Sequence, residues 1–377
     1  MQNNTYDLVV VGAGPAGALA AATAAEAGLK TAIIERNILP RQKICGGFVS
    51  SRALSLLPAE LHLPETEIAT VLQLLINRKE KRYRYQAEKP LGVLIERARF
   101  DQLLAAYASR KGAILLEETA LLRVKEIADT NADQRKNGYL LDFSKAKEQS
   151  TISTRYLLAA DGALSRCAEL GGIDRSWRKK ICGWGLAEIR PENALRDGAP
   201  EALPQLEFFP LPFRGGMGWV FHGKGWFNRG VGGLCGRKTL FKAYNQLFGA
   251  IAPKRTLSSW PLPFLGPVSE VAKGNLLLIG DAAGLVEPFS GEGIYNSLKS
   301  ALLAVQAIRE AETVGFHAAV AYNRLFRTHF RRYFLPNLVG TVMLQAQSLL
   351  YPKAVPPQIA RLIENQLWFN DQNFDPQ

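Results

Sequence analysis

The chain has 377 residues, 47% of them apolar and 21% charged, enough to bury a sizeable core and to form two domains. A formal net charge of +12 permits attraction to phosphates, acidic lipid headgroups or an acidic protein. No zinc-finger spacing, RNA-binding aromatic signature or long basic tail points to nucleic acid, and no internal repeat or metal-ligand cluster is present.

The first element is a fully apolar strand, Tyr6 to Val11, followed directly by Gly12-Ala13-Gly14-Pro15-Ala16-Gly17. An alanine-rich helix then runs to about Gly28, and a second strand, Thr31 to Ile34, ends at Glu35. This is the dinucleotide-binding fingerprint in the context it requires. Gly12 permits the turn, Gly14 lets the backbone approach a pyrophosphate, and Gly17 lets helix and strand pack closely. Glu35 is placed to accept hydrogen bonds from ribose hydroxyls.

Next comes Leu39-Pro40-Arg41-Gln42-Lys43-Ile44-Cys45-Gly46-Gly47, then a predicted helix from Ser50 to Leu57. The glycine pair implies backbone lying against something flat. Cys45 is either a small buried residue or a weak donor beside a reactive ring. Residues 66–95 alternate basic and apolar positions, which predicts exposed strands outside the nucleotide core. An amphipathic helix follows with Phe100, Leu103, Leu104 and Tyr107 on one face, and Arg97 at its start can reach a phosphate or a ribose. Ile114 to Ile127, Tyr139 to Phe143 and Thr151 to Ala160 read as strands, with Asp129 to Gly138 as a hairpin loop. The last strand runs into Asp161-Gly162, a further acidic turn before a short helix.

From Trp177 to Leu265 aromatics, glycine and proline crowd together, as in Gly216-Met217-Gly218-Trp219-Val220-Phe221-His222. Short strands with turns predict an antiparallel sheet whose inner face is larger and more apolar than a polar substrate needs. Leu276 to Ile279 then forms a buried strand that ends in the turn Gly280-Asp281. Past Pro288 a glycine cluster, Gly291 and Gly293, opens a helix with Ile294, Leu298, Leu302, Val305 and Ile308 on its buried face. Such a helix start presents bare N–H groups and suits a flat ligand that gains negative charge. From Phe316 onward the chain reads as helices. A basic, aromatic stretch at Tyr322 to Leu335 can lie on a membrane surface or pack inward with its arginines outward.

Four cysteines, Cys45, Cys167, Cys182 and Cys235, lie far apart with no C-x-x-C pair, so reduced thiols are expected. There is no signal-peptide pattern and no apolar run of membrane-spanning length, which predicts a cytoplasmic protein, with the inner face of the membrane as its other possible site.

Taken together, these segments resemble the flavin-dependent oxidoreductases of p-hydroxybenzoate hydroxylase fold, and among them the geranylgeranyl reductase family, over the chain up to about residue 312. The resemblance assigns Gly12, Gly14, Ala16, Gly17, Glu35 and Arg36 to the ADP half of FAD. Arg97 with Phe100-Asp101 is similar to the family's R-x-x-F-D helix start, Asp161-Gly162 to its DG motif and Gly280-Asp281 to its GD motif. Pro288-Phe289-Ser290-Gly291-Glu292-Gly293-Ile294 resembles the loop that holds the isoalloxazine. Cys45-Gly46-Gly47 resembles the reductases' loop beside the flavin, which makes Cys45 the candidate catalytic residue. Trp219, Phe221 and His222 fall in their substrate motif, with His222 standing where that motif has proline.

The implied architecture is α/β. A Rossmann-like FAD-binding domain (1–65, 96–175 and 271–312) is interleaved with an antiparallel-sheet substrate domain (66–95 and 176–270), followed by C-terminal helices (313–377). The implied activity is reduction of C=C bonds in a lipophilic, isoprenoid substrate. NADPH or a protein donor would be the reductant, and contact with an anionic membrane would be peripheral. The alternative on the same scaffold is an FAD-dependent monooxygenase that hydroxylates or epoxidises an aromatic or polyene substrate.

Overall fold

The computed structural model describes residues 5–78, 81–127, 137–146, 148–175, 182–191, 205–249, 257–263, 270–287 and 291–331. These fall into two compact units interleaved along the sequence. One takes the chain up to Arg41, Phe100 to 175 and Pro263 to 331; the other takes Gln42–Arg99 and Cys182–Leu262. Mixed α/β structure with C-terminal helices is the expected class.

In the first unit the main sheet runs in the order Ala272–Lys273, Leu276–Leu278, Glu148–Ala159, Thr5–Val11, Thr31–Ile34, Ile114–Leu116. From Leu276–Leu278 across to Ile114–Leu116 every pairing is parallel. Strands of this kind are covered on both faces, which is why Val9, Val10, Leu157 and Leu158 form unbroken apolar runs and are fully buried. Gly138–Lys145 and Thr119–Ile127 extend the sheet by antiparallel pairing. The single strand predicted for Ile114 to Ile127 is therefore two, separated by a turn in which Glu118 adopts a φ of 54°. The predicted hairpin loop at Asp129 to Gly138 lies largely outside the described residues.

The Pro15–Glu26 helix packs on this sheet and against the Ile294–Val314 helix. Ala16, Ala18, Ala20, Ala21, Ala22 and Ala24 are buried there, small side chains that let helix and sheet pack closely. On the Ile294–Val314 helix four of the five predicted core positions are buried. Leu302 is only half-buried, and Ala301, Leu303 and Ala304 fill the interface instead. A further helix, Ala318–Phe326, is fastened to the sheet by Tyr322, whose hydroxyl donates to the Leu278 carbonyl at 2.8 Å, and by Asn275 Oδ1, which accepts from the Ala318 amide at 3.0 Å. Burial holds the Tyr322 phenol far above its usual pKa, so it remains a donor.

The second unit contains a seven-stranded sheet in the order Ser258–Pro263, Cys182–Pro191, Trp226–Gly233, Met217–His222, Gln205–Pro210, Gln73–Arg78, Lys81–Gln86. It is largely antiparallel, with one parallel pair between Gln205–Pro210 and Gln73–Arg78. A three-stranded antiparallel sheet joins Phe48–Ser50, Gly92–Leu94 and Ala69–Val71. Parts of 66–95 are thus core, not the exposed strands predicted from alternation: Val71 and Leu94 are fully buried. The predicted Ser50–Leu57 helix is shortened to Ser51–Leu54.

The large sheet has an apolar cluster on each face. One contains Leu74, Leu94, Leu206, Phe221 and Trp226, with Trp219 packed against it. The other contains Leu186, Val231, Leu240 and Tyr244, under the Arg237–Phe248 helix. On that second face Glu188 is fully buried, and its Oε1 accepts from Arg229 Nε and from the Tyr244 hydroxyl, both at 2.6 Å.

Candidate functional site

The first unit gathers its sequence-marked residues at one edge. Gly12 follows Thr5–Val11, Glu35 follows Thr31–Ile34, Asp161 comes just after Glu148–Ala159, and Gly280 comes just after Leu276–Leu278. All four strands are parallel, so these residues meet at the carboxyl ends. The order of connection reverses beside Thr5–Val11, which is where open α/β sheets bind nucleotides.

Two glycines at this edge have different reasons to be glycine. A Cβ on Gly17 would lie 1.9 Å from the Gly12 carbonyl oxygen, so helix and strand could not approach as they do. Gly14 has an ordinary backbone (φ −77°, ψ −178°), and a Cβ there would come no nearer to another residue than 3.8 Å, at Arg41 Nη2. Among the described residues nothing requires glycine at position 14. The requirement is met if a ligand approaches that backbone, at the start of a helix that no side chain caps.

Glu35, also buried, has its carboxylate held by its own chain. Oε2 accepts from the Ala13 amide at 3.0 Å and pairs with Arg41 Nε at 3.3 Å; Oε1 accepts from the Asn37 amide and side chain. A carboxylate has about four lone-pair sites. A ribose hydroxyl would therefore replace one of the two 3.3 Å contacts. Arg41 Nη1 also reaches Asp101 Oδ2, which is fully buried, at 3.0 Å. Arg41 thus stands between two carboxylates and beside the open side of Gly14, suited to a phosphate. Local sequence does not mark it: Arg41 is one of three cations, with Arg36 and Lys43, that closely follow the acid ending the second strand. Arg36 is exposed, and Arg97 is buried at the start of the Arg97–Arg110 helix.

Asp161 Oδ2 accepts from the Cys167 amide at 2.9 Å, while Oδ1 is buried without a hydrogen-bond partner among the described residues. Burial raises its pKa, opposed by the backbone and Ser165 hydrogen bonds. An orphaned carboxylate oxygen next to Gly162 is a vacant acceptor for a ligand hydroxyl or N–H. Gly280 starts a short 3₁₀ turn with Asp281, and Ser300 accepts the Gly280 amide at 2.9 Å. A Cβ on Gly293 would lie 3.5 Å from Asp281 Oδ1, so this acid stands at the start of the Ile294–Val314 helix, which again lacks a side-chain cap. Gly291 is exposed, Ile294 is buried, and Pro288 lies outside the described residues.

In the second unit Cys45 is half-buried and free of any disulfide. Its carbonyl accepts from Asn228 Nδ2 at 2.9 Å, and Asn228 Oδ1 accepts from Trp219 Nε1 at 2.6 Å. A Cβ on Gly46 would lie 2.5 Å from the Phe221 ring, so the loop presses onto the sheet at that point. Gly47, at φ 83°, turns the chain there, its amide 3.5 Å from Cys45 Sγ. Cys45, Gly46, Trp219 and Phe221 therefore meet on one sheet face. His222 does not join them. Alternation along Met217–His222 turns it to the opposite face, where its ring lies 6.5 Å from that of Phe227.

The chain matches the FAD binding domain family over residues 5–206, more than half its length. It is 31% identical to a menaquinone reductase of Mycobacterium tuberculosis over 335 residues, covering 81% of this chain and 77% of that one. It is 27% identical to a digeranylgeranylglycerophospholipid reductase of Methanocaldococcus jannaschii over 321 residues, 82% of this chain and 78% of that one. Among solved structures, a geranylgeranyl bacteriochlorophyll reductase-like protein from Thermoplasma acidophilum shares the fold, with a TM-score of 0.75 at 24% identity over 99% of this chain and 94% of the other. The alternating glycines, Glu35, the open backbone at Gly14 and the vacant Asp161 oxygen suit FAD, and the chain belongs to the FAD binding domain family as an FAD-dependent oxidoreductase.

Proposed function

We propose that this protein reduces C=C bonds in the isoprenoid part of a lipophilic substrate. The observation that carries the reading is the extent of the likeness. The relatives named as reductases of a digeranylgeranyl lipid and of menaquinone align over four-fifths of the chain. Under this reading Glu35 and Arg41 hold the ribose and pyrophosphate of FAD, with Gly12, Gly14, Ala16, Gly17 and Arg36 around them. Arg97, Asp161, Gly162, Gly280 and Asp281 would hold its middle, and Gly291, Gly293, Ile294, Gly46 and Gly47, with Pro288 by resemblance alone, would hold its ring. Reduced FAD, when bound, would supply hydride to one carbon of the double bond, and a proton would reach the other. The uncapped helix start at Gly293 favours negative charge beside it. Trp219 and Phe221 present apolar surface to the hydrocarbon and exclude water, and Cys45 is the group in contact with the reacting bond. NADPH or a protein donor delivers the electrons.

Protein reduced with dithionite and incubated with polyprenyl and quinone lipids, with and without oxygen, tests this by mass spectrometry. A product heavier by two hydrogens is expected; oxygen-dependent gain of one oxygen atom would overturn the reading in favour of a monooxygenase. Cys45→Ser should retain FAD and lose turnover by about a hundredfold. Undiminished turnover removes Cys45 from the chemistry.

A substrate of this kind resides in lipid, so peripheral contact with the cytoplasmic face of an anionic membrane is part of the proposal. No described helix is long and apolar enough to cross a membrane. Arg324 and Arg327 are exposed at the end of the Ala318–Phe326 helix, where the basic stretch was expected; its continuation past Arg331 lies outside the described residues. Glutamine at both positions should weaken binding to phosphatidylglycerol vesicles about thirtyfold, at about 1 kcal/mol for each cation lost. Equal sedimentation of both proteins would place the contact elsewhere.

A further inference from the structure

Asn228 lies in Trp226–Gly233, a strand in which every residue is buried, and is itself fully inaccessible. Asparagine is disfavoured in strands, and a buried amide is costly unless its hydrogen bonds are made. Here they run to two groups that can each play only one part. The Trp219 indole N–H can only donate, so it fixes the amide oxygen at 2.6 Å; the Cys45 carbonyl can only accept, so it fixes the amide nitrogen at 2.9 Å. The amide orientation follows from its partners.

The surroundings are shaped for this bridge. The Trp219 indole lies across Gly230, where a Cβ would fall 2.4 Å from Cζ2, and so it reaches sideways to Asn228. Gly46 brings the loop onto Phe221, within reach of the amide. At this separation a leucine offers neither hydrogen bond, and an aspartate offers only an acceptor to the Cys45 carbonyl, which itself only accepts.

We propose that Asn228 is a positioning residue that ties the Cys45 loop to the Trp219 side of the sheet and so fixes where the thiol stands. The tether is a property of the second unit alone. Its consequence for turnover rests on the reductase reading given above.

The tether is tested by iodoacetamide labelling of the full-length protein, with each cysteine followed by peptide mass spectrometry. In Asn228→Leu the Cys45 carbonyl loses its donor, the loop opens more often, and Cys45 labelling should accelerate about tenfold. Cys167, fully buried in the first unit, should stay unlabelled and reports on global unfolding. Trp219→Phe leaves the amide oxygen without its donor and should accelerate Cys45 labelling about threefold. This milder variant decides the matter if Asn228→Leu exposes Cys167. Unchanged Cys45 labelling in the folded variants would overturn the tether.

Asn228→Leu should also lower kcat more than it raises KM, while FAD stays bound. Faster labelling with unchanged kcat would overturn the positioning role. A parent protein without reductase activity would refute the reductase reading and leave the labelling result standing.

Discussion

Alanine at position 17 is expected to cost the apoprotein about 3 kcal/mol or more, a large fraction of the stability of an ordinary domain. The added methyl would sit 1.9 Å from the Gly12 carbonyl oxygen and 3.0 Å from the Ala160 Cβ. Both neighbours belong to the central parallel strands or the turn that follows them, so neither can yield without separating the Pro15–Glu26 helix from the sheet. Chemical denaturation of the apoprotein followed by far-UV circular dichroism measures the loss. Alanine at position 14 is the matched control. Its methyl meets nothing closer than 3.8 Å, and the apoprotein should stay within about 1 kcal/mol of the parent, the usual range for changing a helix N-cap. FAD titration should nevertheless show at least a tenfold loss of affinity, because under the proposed assignment the methyl would project where the pyrophosphate approaches. If Gly14→Ala bound FAD as well as the parent, the cradle would lie elsewhere.

Arg229→Met is expected to destabilise the protein by about 3–5 kcal/mol, because Glu188 would be left buried without its cation. The Glu188 carboxylate is fully inaccessible, and the Arg229 guanidinium also lies over the rings of Phe227, Tyr244 and Phe248 at 5.4–5.8 Å. Burial, reinforced by the hydrogen bond to Glu188, pushes the Tyr244 phenol well above its usual pKa, so Tyr244 remains a donor to the carboxylate but cannot neutralise it. The double variant Glu188→Gln with Arg229→Met should recover much of the loss, since removing both charges removes the uncompensated one. Urea denaturation of the three proteins decides it. A single variant within about 1 kcal/mol of the parent would mean that water reaches Glu188 in solution.

How much was legible in the chain depends on how far apart the interacting residues lie. The strand–turn–helix at Tyr6 to Gly28, its return at Thr31 to Glu35, and the second glycine cluster before Ile294 are local patterns, and each was readable from apolar periodicity and glycine spacing. Their meeting at one sheet edge follows from the right-handed parallel crossovers such patterns imply. The aromatic stretch announced an antiparallel sheet, yet the face on which each residue falls depended on register. Alternation alone already separates His222 from Trp219 and Phe221.

The sequence by itself determined the α/β class, the glycine-rich sheet edge that carries Gly14 and Glu35, and the family, because these rest on short-range stereochemistry written into neighbouring residues. Only the tertiary structure decided that Arg41 stands between Glu35 and Asp101, that Arg229 neutralises Glu188, and that Asn228 holds the carbonyl of Cys45 from 183 residues away. No periodicity marks such partners. A buried charge or amide is stable only where folding brings it an opposite charge or a complementary hydrogen bond, and that complement can come from any part of the chain.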